Sequence, residues 1–295
     1  MNRSAPAAST SRSAVDLVPA DRIEAEALVG LFNRCYADYF VPIQLDLESM
    51  GAMAEICDVD LASSVVGVSG DAPVAVALLA TRGTRGWIGG MGVAPEARGQ
   101  GLGRRVMEHA LDAARARALR SIDLEVLEQN TPAIRIYDAL GFQDRRRLGV
   151  WARPIVPDTG PSPALDVVPV PIDQVLASHA ALHRAMSPWQ CDAPTLAHAA
   201  PRLRALAVVE DGAIDACAVF RPASTGVRIA DLASRSDDAA VTGAAFDALL
   251  AAVLATHPAA RFDVLNLPQG HAAERALLRR GFTMELVQRE MTRVP

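Results

Sequence analysis

The chain has 295 residues, 51% of them apolar, which accommodates two ordinary domains with a core each. Its formal charge is −5 and every one of its 29 basic residues is an arginine, so it is a poor non-specific ligand for nucleic acid or an anionic membrane. Cys35, Cys57, Cys191 and Cys217 are scattered without a C-x-x-C pair; this argues against a disulfide framework or a cysteine zinc site and fits a reducing compartment, and no metal is expected.

In chain order, residues 1–13 read as a disordered tail without the apolar core of a signal peptide. The apolar run around Val74 to Ala80 falls far short of the ~20 residues of a membrane span, and a cytoplasmic protein is expected. Val15–Val18 is a short strand, and Asp21 is expected to cap a helix through Cys35. A second helix covers Leu47–Ile56. Val65–Ser69, Val74–Ala80 and Trp87–Val93 are strands separated by Gly, Asp and Pro signals. A helix runs from Leu102 to Leu119, then a strand over Ile122–Leu127. Thr131, with Pro132 at the first helical position, opens a helix that stops at Gly141, and Phe142–Trp151 is a closing strand. Pro154 to Leu165 holds four prolines and a glycine, which break helix and central strand alike; residues 154–164 read as a linker between residues 14–153 and 165–295.

The second half repeats the order. Asp173 is expected to cap a helix through Met186. Strands follow near Leu206–Glu210, Ile214–Phe220 and Val227–Leu232, then a helix over Val241–Thr256 and a strand over Phe262–Leu267. A helix ending at Gly281 and a strand over Phe282–Met291 complete it. Ala133–Phe142 aligns with Ala273–Phe282, each a helix ended by Gly with Phe opening a strand. Leu-Gly-Phe is a common helix end in its own right, but the matched spacing and element order favour a duplication.

The loop Arg98-Gly-Gln-Gly-Leu-Gly103 carries the chemistry. A dinucleotide fingerprint requires glycine where Arg104 stands, and a P-loop requires a lysine, so both forms fail. The remaining form is R-x-x-G-x-G opening a helix. Gly99, Gly101 and Gly103 strip side chains from the backbone, the amides of Gly99 to Arg104 converge on one anion, and the helix dipole adds to them. Arg98 and Arg104 add charge at the rim. Pro95 ends the preceding strand; if the strand splays open here, the free backbone groups near Met91, Gly92 and Val93 can pair with an extended ligand. A pyrophosphate with a peptide-like arm is coenzyme A.

Val93-x-Pro-x-x-Arg98-Gly-Gln-Gly-Leu-Gly103 resembles the acyl-CoA motif of the GNAT family of N-acetyltransferases. Asn130-x-x-Ala133-x-x-x-Tyr137-x-x-x-Gly141-Phe142 is similar to that family's second signature. The resemblance implies an α/β (α+β mixed sheet) fold, with two tandem domains, each a central, mostly antiparallel twisted sheet flanked by helices. It implies acetyl-CoA as cosubstrate, direct transfer to a small-molecule amine, and a monomer or homodimer. Met91, Gly92, Val93, Arg98, Gly99, Gln100, Gly101, Leu102, Gly103 and Arg104 would hold the cosubstrate. Asn130 would bond the pantetheine arm, although it is equally suited to a helix cap. Tyr137 would be the acid for the departing thiolate, since a phenol of pKa about 10 can protonate a thiolate whose acid is near 8.5.

Many members carry a Glu on the strand before the loop; here that strand, Trp87-Ile-Gly-Gly-Met-Gly-Val93, has no acid. Glu125 on the neighbouring strand is the nearest substitute, and a water relay is equally open. Tyr36, Asp38, Tyr39 and Phe40 suit the acceptor border or, as readily, a helix end packed on the core. His109 reads as a surface residue. The second repeat has Asp237 and Asp238 in place of the cradle, Leu277 in place of Tyr137 and Gly270 in place of Asn130, which removes the acyl-CoA equipment. Its layout resembles two-domain members such as mycothiol synthase. The alternative reading is a non-catalytic acyl-CoA sensor or interaction protein.

Overall fold

A computed structural model describes residues 14–160, 164–224 and 226–295. The expected tail and residues 161–163 of the expected linker lie outside the described residues. Contacts divide the chain into two compact units: residues 1–51 with 59–119 and Pro295, and residues 52–58 with 120–294.

In the first unit, β1 (Val15–Pro19), β2 (Val65–Ser69), β3 (Ala72–Arg82) and β4 (Arg85–Val93) pair antiparallel in that order. Helix α1 (Ala25–Cys35) follows β1, α2 (Leu47–Ile56) ends in the second unit, and α3 (Leu102–Ala116) follows β4. Every residue from Val74 to Ala80 is buried. Successive strand side chains point to opposite faces, so β3 is covered on both, with α1 and α3 packing against it. Asp21 does not cap α1. The amides of Ala20 and Asp21 bond the carbonyls of Ser64 and Leu61, a short 3-10 turn spans Ala20–Arg22, and α1 starts at Ala25 without a side-chain cap.

The second unit contains β5 (Ser121–Leu127), α4 (Thr131–Ala139), β6 (Gln143–Arg153), β7 (Val168–Val170) and α5 (Ile172–Leu182). It continues with α6 (Ala193–Ala199), β8 (Arg204–Glu210), β9 (Ala213–Ala223), β10 (Gly226–Ser234), α7 (Ala239–Thr256), β11 (Phe262–Pro268), α8 (Glu274–Arg279) and β12 (Thr283–Arg293). The strand order is β5-β12-β6-β11-β10-β9-β8-β7. The β10–β11 pair is parallel, and the neighbouring ladders are antiparallel. The mixed, mostly antiparallel sheets flanked by helices match the expected fold class.

The division of contacts does not follow the proline-rich segment. β5 and β6, which belong to the first repeat of the sequence, are hydrogen-bonded to β12, and β6 also to β11. A boundary read from composition marks where the chain turns; it cannot show which strands pair across it. Helix α5 stops at Leu182, short of Met186, because His183 is extended.

Helix α7 is 18 residues long and apolar enough by length and composition to cross a membrane. Here its Phe246, Leu249, Leu250, Val253 and Leu254 sit in a core with Trp151, Phe262, Leu277 and Phe282. Truncating a fully buried ring such as Phe262 to Ala typically costs about 3–5 kcal/mol. The duplicated helix ends share their bonding. The amide of Phe142 donates to the carbonyl of Tyr137 at 3.0 Å, and that of Phe282 to Leu277 at 3.0 Å, with Gly141 and Gly281 left-handed.

Candidate active site

The loop between β4 and α3 begins with a 3-10 turn, Pro95–Ala97. Arg98 is extended, and Gly99 and Gly101 take left-handed φ of 73° and 75°. A Cβ at either glycine would meet nothing within 4 Å. Their role is thus conformational, and the space in front of the loop is open. Gly101 is the N-cap of α3 and offers no side-chain bond, while Arg105 N–H to Gly101 O at 3.1 Å starts the helical ladder. The amides of the first turn therefore point out of an uncapped helix end, and 15 residues of aligned peptide dipoles stand behind them.

The arginines at the rim have partners of their own. The Arg98 guanidinium donates to both Asp38 oxygens, at 2.5 and 2.8 Å, and to Cys35 O at 3.1 Å, while its Nε donates to Val93 O at 3.1 Å. This side chain ties the end of α1 to the end of β4. Arg98 holds the Asp38 carboxyl below the usual carboxylate range. Asp38 thus has Arg98 as its partner, with its side chain still largely exposed. Arg104 Nε donates to Glu108, one turn on, at 2.8 Å. What the loop presents is backbone.

The acid-free strand has a packing reason. A Cβ on Gly92 would lie 2.5 Å from Cys35 Cβ, and one on Gly90 would lie 2.9 Å from Phe32 Cε2. Helix α1 thus sits directly on this face of β4, and only glycine lets it approach. Phe32 and Tyr36 stack at 4.5 Å, Tyr39 meets Tyr36 edge-on at 5.0 Å, and Phe40 meets Tyr39 at 5.3 Å. Tyr36 Oη donates to Met91 O at 3.3 Å, and burial raises its pKa above the ordinary phenol value. Burial also pushes the Cys35 thiol up to about 12, against the charges of Arg34 and Arg98. Phe40, at 51% exposure, is the open end of this aromatic run. Met91 to Val93 lie in register with Ala77 to Ala75. His109 is exposed, as expected.

On the second unit, Asn130 caps α4, its Oδ1 accepting from Ala133 N at 3.3 Å. Tyr137 is buried on α4 and meets Phe142 edge-on at 5.8 Å. Glu125 on β5 stands opposite Glu290 on β12, and Glu290 opposite Arg146 on β6. Directly opposed side chains share a face, so the three form a row. Arg146 grips Glu290 at 2.6 and 3.1 Å. Arg145 lies 3.9 Å from Asp123 and 3.8 Å from Glu290.

The repeat's counterpart to the loop is closed. Asp238 is the N-cap of α7 and accepts from Ala240 N at 2.8 Å and Val241 N at 3.1 Å. Those bonds lower its pKa. Leu277 is fully buried. Sequence reading passed over His179 on α5 and His183 just beyond its end, whose four-residue spacing was the available signal.

Residues 26–142 match the model of the Acetyltransferase (GNAT) family. The chain is 50% identical over 50 residues to a streptothricin acetyltransferase of Streptomyces lavendulae, a stretch covering 17% of this chain and 26% of that protein. The chain thus spans about a quarter of that relative's length. Among solved structures, a GCN5-related N-acetyltransferase from Sphaerobacter thermophilus superposes with a TM-score of 0.72 at 15% identity, covering 96% of each chain. A tandem GNAT protein from the clavulanic acid biosynthesis pathway superposes with a TM-score of 0.71 at 16% identity, covering 95% of this chain and 98% of that one. At these identities the likeness is one of fold, and it extends over both repeats.

Proposed function

On the match of residues 26–142 to the Acetyltransferase (GNAT) family model, we propose that the protein is an acetyl-CoA-dependent N-acetyltransferase of a small amine. The observation that carries the reading is the open, uncapped N-terminus of α3, with Gly99 and Gly101 left-handed in front of it. Backbone amides from Gly99 to Arg104 suit a pyrophosphate, and a Cβ at Gly99 or Gly101 would meet nothing within 4 Å. When bound, acetyl-CoA supplies an acyl group on an activated thioester.

The chain's own residues have three tasks. Tyr137 keeps a proton for the departing thiolate. It is buried on α4 with its ring edge-on to Phe142. Glu125, or a water it orders, receives the proton of the attacking amine. Tyr36, Tyr39 and Phe40 border the acceptor and favour an amine with an apolar body, while Asp38 holds Arg98 and with it the shape of the loop.

The test is thiol release from acetyl-CoA with a panel of small amines. Turnover with at least one amine is expected, and Tyr137→Phe is expected to lower kcat by roughly 100- to 10,000-fold with cosubstrate binding retained. Binding of acetyl-CoA without turnover on a broad panel would overturn the enzyme reading in favour of an acyl-CoA-binding protein.

A further inference from the structure

The second unit contains a cavity of about 390 Å³ lined by residues of α7, β10, β11 and the segment after α5, among them His183, Cys191, Asp231 and His271. Nothing in the acyl-transfer reading uses it. His183, at the cavity wall, stacks on His179 of α5, ring centroids 3.9 Å from each other. Asp231 on β10 faces them, at the position where that strand's register with β9 shifts. One candidate ligand atom from each of the three residues lies within 4.8 Å of the other two.

The hydrogen-bonding pattern is unusual. His183 Nδ1 lies 3.0 Å from the carbonyl of His179. A carbonyl only accepts, so Nδ1 carries the hydrogen, and in neutral imidazole Nε2 is then a bare lone pair. That Nε2 lies 3.1 Å from Asp231 Oδ1. Two lone pairs at this distance repel unless a cation stands between them, whether a proton or a metal ion. Two further polar atoms of the cluster, His179 Nε2 and Asp231 Oδ2, are buried without a hydrogen-bond partner. A proton on His183 settles the first contact and leaves the other two unmet. A metal ion placed among the three residues would be within reach of one donor atom from each.

We propose that His179, His183 and Asp231 form a binding site for a zinc-class divalent transition metal, with an open coordination position facing the cavity. The donor set of two imidazoles and one carboxylate is that of three-ligand zinc sites, which keep a fourth position for water or a ligand. Calcium and magnesium favour all-oxygen shells and are poorly matched. The 3.1 Å separation of His183 Nε2 and Asp231 Oδ1 is close to the about 3.3 Å edge of a tetrahedron with zinc bonds of about 2.0–2.1 Å. The His183 Nδ1–H bond to a backbone carbonyl is the outer contact that fixes a ligating imidazole. His183, Asp231 and the neighbouring Cys191 and His271 line the cavity, so an electron-pair donor entering it reaches the open position. The inference rests on the second unit alone and does not depend on the acyl-transfer reading.

The experiment uses the full chain, stripped with a chelator and dialysed. Calorimetric titration with Zn²⁺ is expected to give one ion per chain at micromolar affinity or tighter, and Co²⁺ to give visible d–d bands. His179→Gln and Asp231→Asn should each lower the affinity by at least the roughly 10- to 100-fold that loss of an outer-shell partner costs. Circular dichroism of the metal-free variants checks that they fold. If they do not, X-ray absorption of the zinc-loaded wild type decides, with two imidazoles and oxygen expected in the shell. Absence of stoichiometric binding, affinity unchanged in both folded variants, or a shell containing sulfur or lacking imidazole overturns the proposal and leaves His183 and Asp231 as a simple ion pair.

Discussion

The N-termini of α3 and α7 occupy the same place in the two repeats and solve the same problem in opposite ways. Both helices begin with amides that have no partner within the helix. At α7 the chain supplies its own anion, Asp238, which bonds the amides of Ala240 and Val241. At α3 the chain supplies glycine in left-handed conformation and no cap, leaving the amides to be met from outside. A self-capped end is a finished structural element. An uncapped, glycine-lined end carries an unmet electrostatic demand, and that demand is what a ligand answers. The two repeats thus share the framework, and the uncapped end belongs to one of them.

The largest expected effect tests the open end. Gly101→Val forces a β-branched residue into φ 75°, a conformation that costs about 1–2 kcal/mol and tilts the first-turn amides out of line. Acetyl-CoA affinity by calorimetry should fall at least tenfold; an unchanged affinity would remove the loop from the site and break the comparison. A smaller effect is expected at the closed end. Asp238→Gly should lower Tm by a few degrees at most and confer no second acyl-CoA site. If a second site appears, the cap alone had closed the repeat, and the comparison sharpens to one residue.

The smallest effect concerns the strut beside the loop. Arg98 depresses the Asp38 carboxyl in the folded state, so the pair's contribution is present above the unfolded value of about 3.9 and is lost as pH falls through the lower folded value. Asp38→Asn should therefore be less stable than the wild type in urea melts at neutral pH, and the gap should close below about pH 4. A gap independent of pH would mean that packing, not charge, holds this corner.

Local features were the legible ones. Leu47–Ile56 and Val65–Ser69 have the bounds that apolar spacing and turn residues indicate, and the glycines of the loop announce its shape. Helix α6 has no counterpart in the sequence reading, although Asp192 is its cap and Pro194 an early helical residue. The pairing of Arg98 with Asp38 and the meeting of α5 with Asp231 join residues far apart in sequence, and no periodicity records such distances. The same holds for strand partners. The hydrophobic pattern of β12 says which face is buried, not that it lies between β5 and β6.

That last placement has a consequence for biosynthesis. As the chain leaves the ribosome, β5 and β6 emerge early, yet the strand that separates and joins them is Thr283–Arg293. Until it arrives, each exposes an unpaired edge. The first repeat therefore cannot complete this set of strand pairs during its own synthesis. The two repeats are tandem in sequence but mature together.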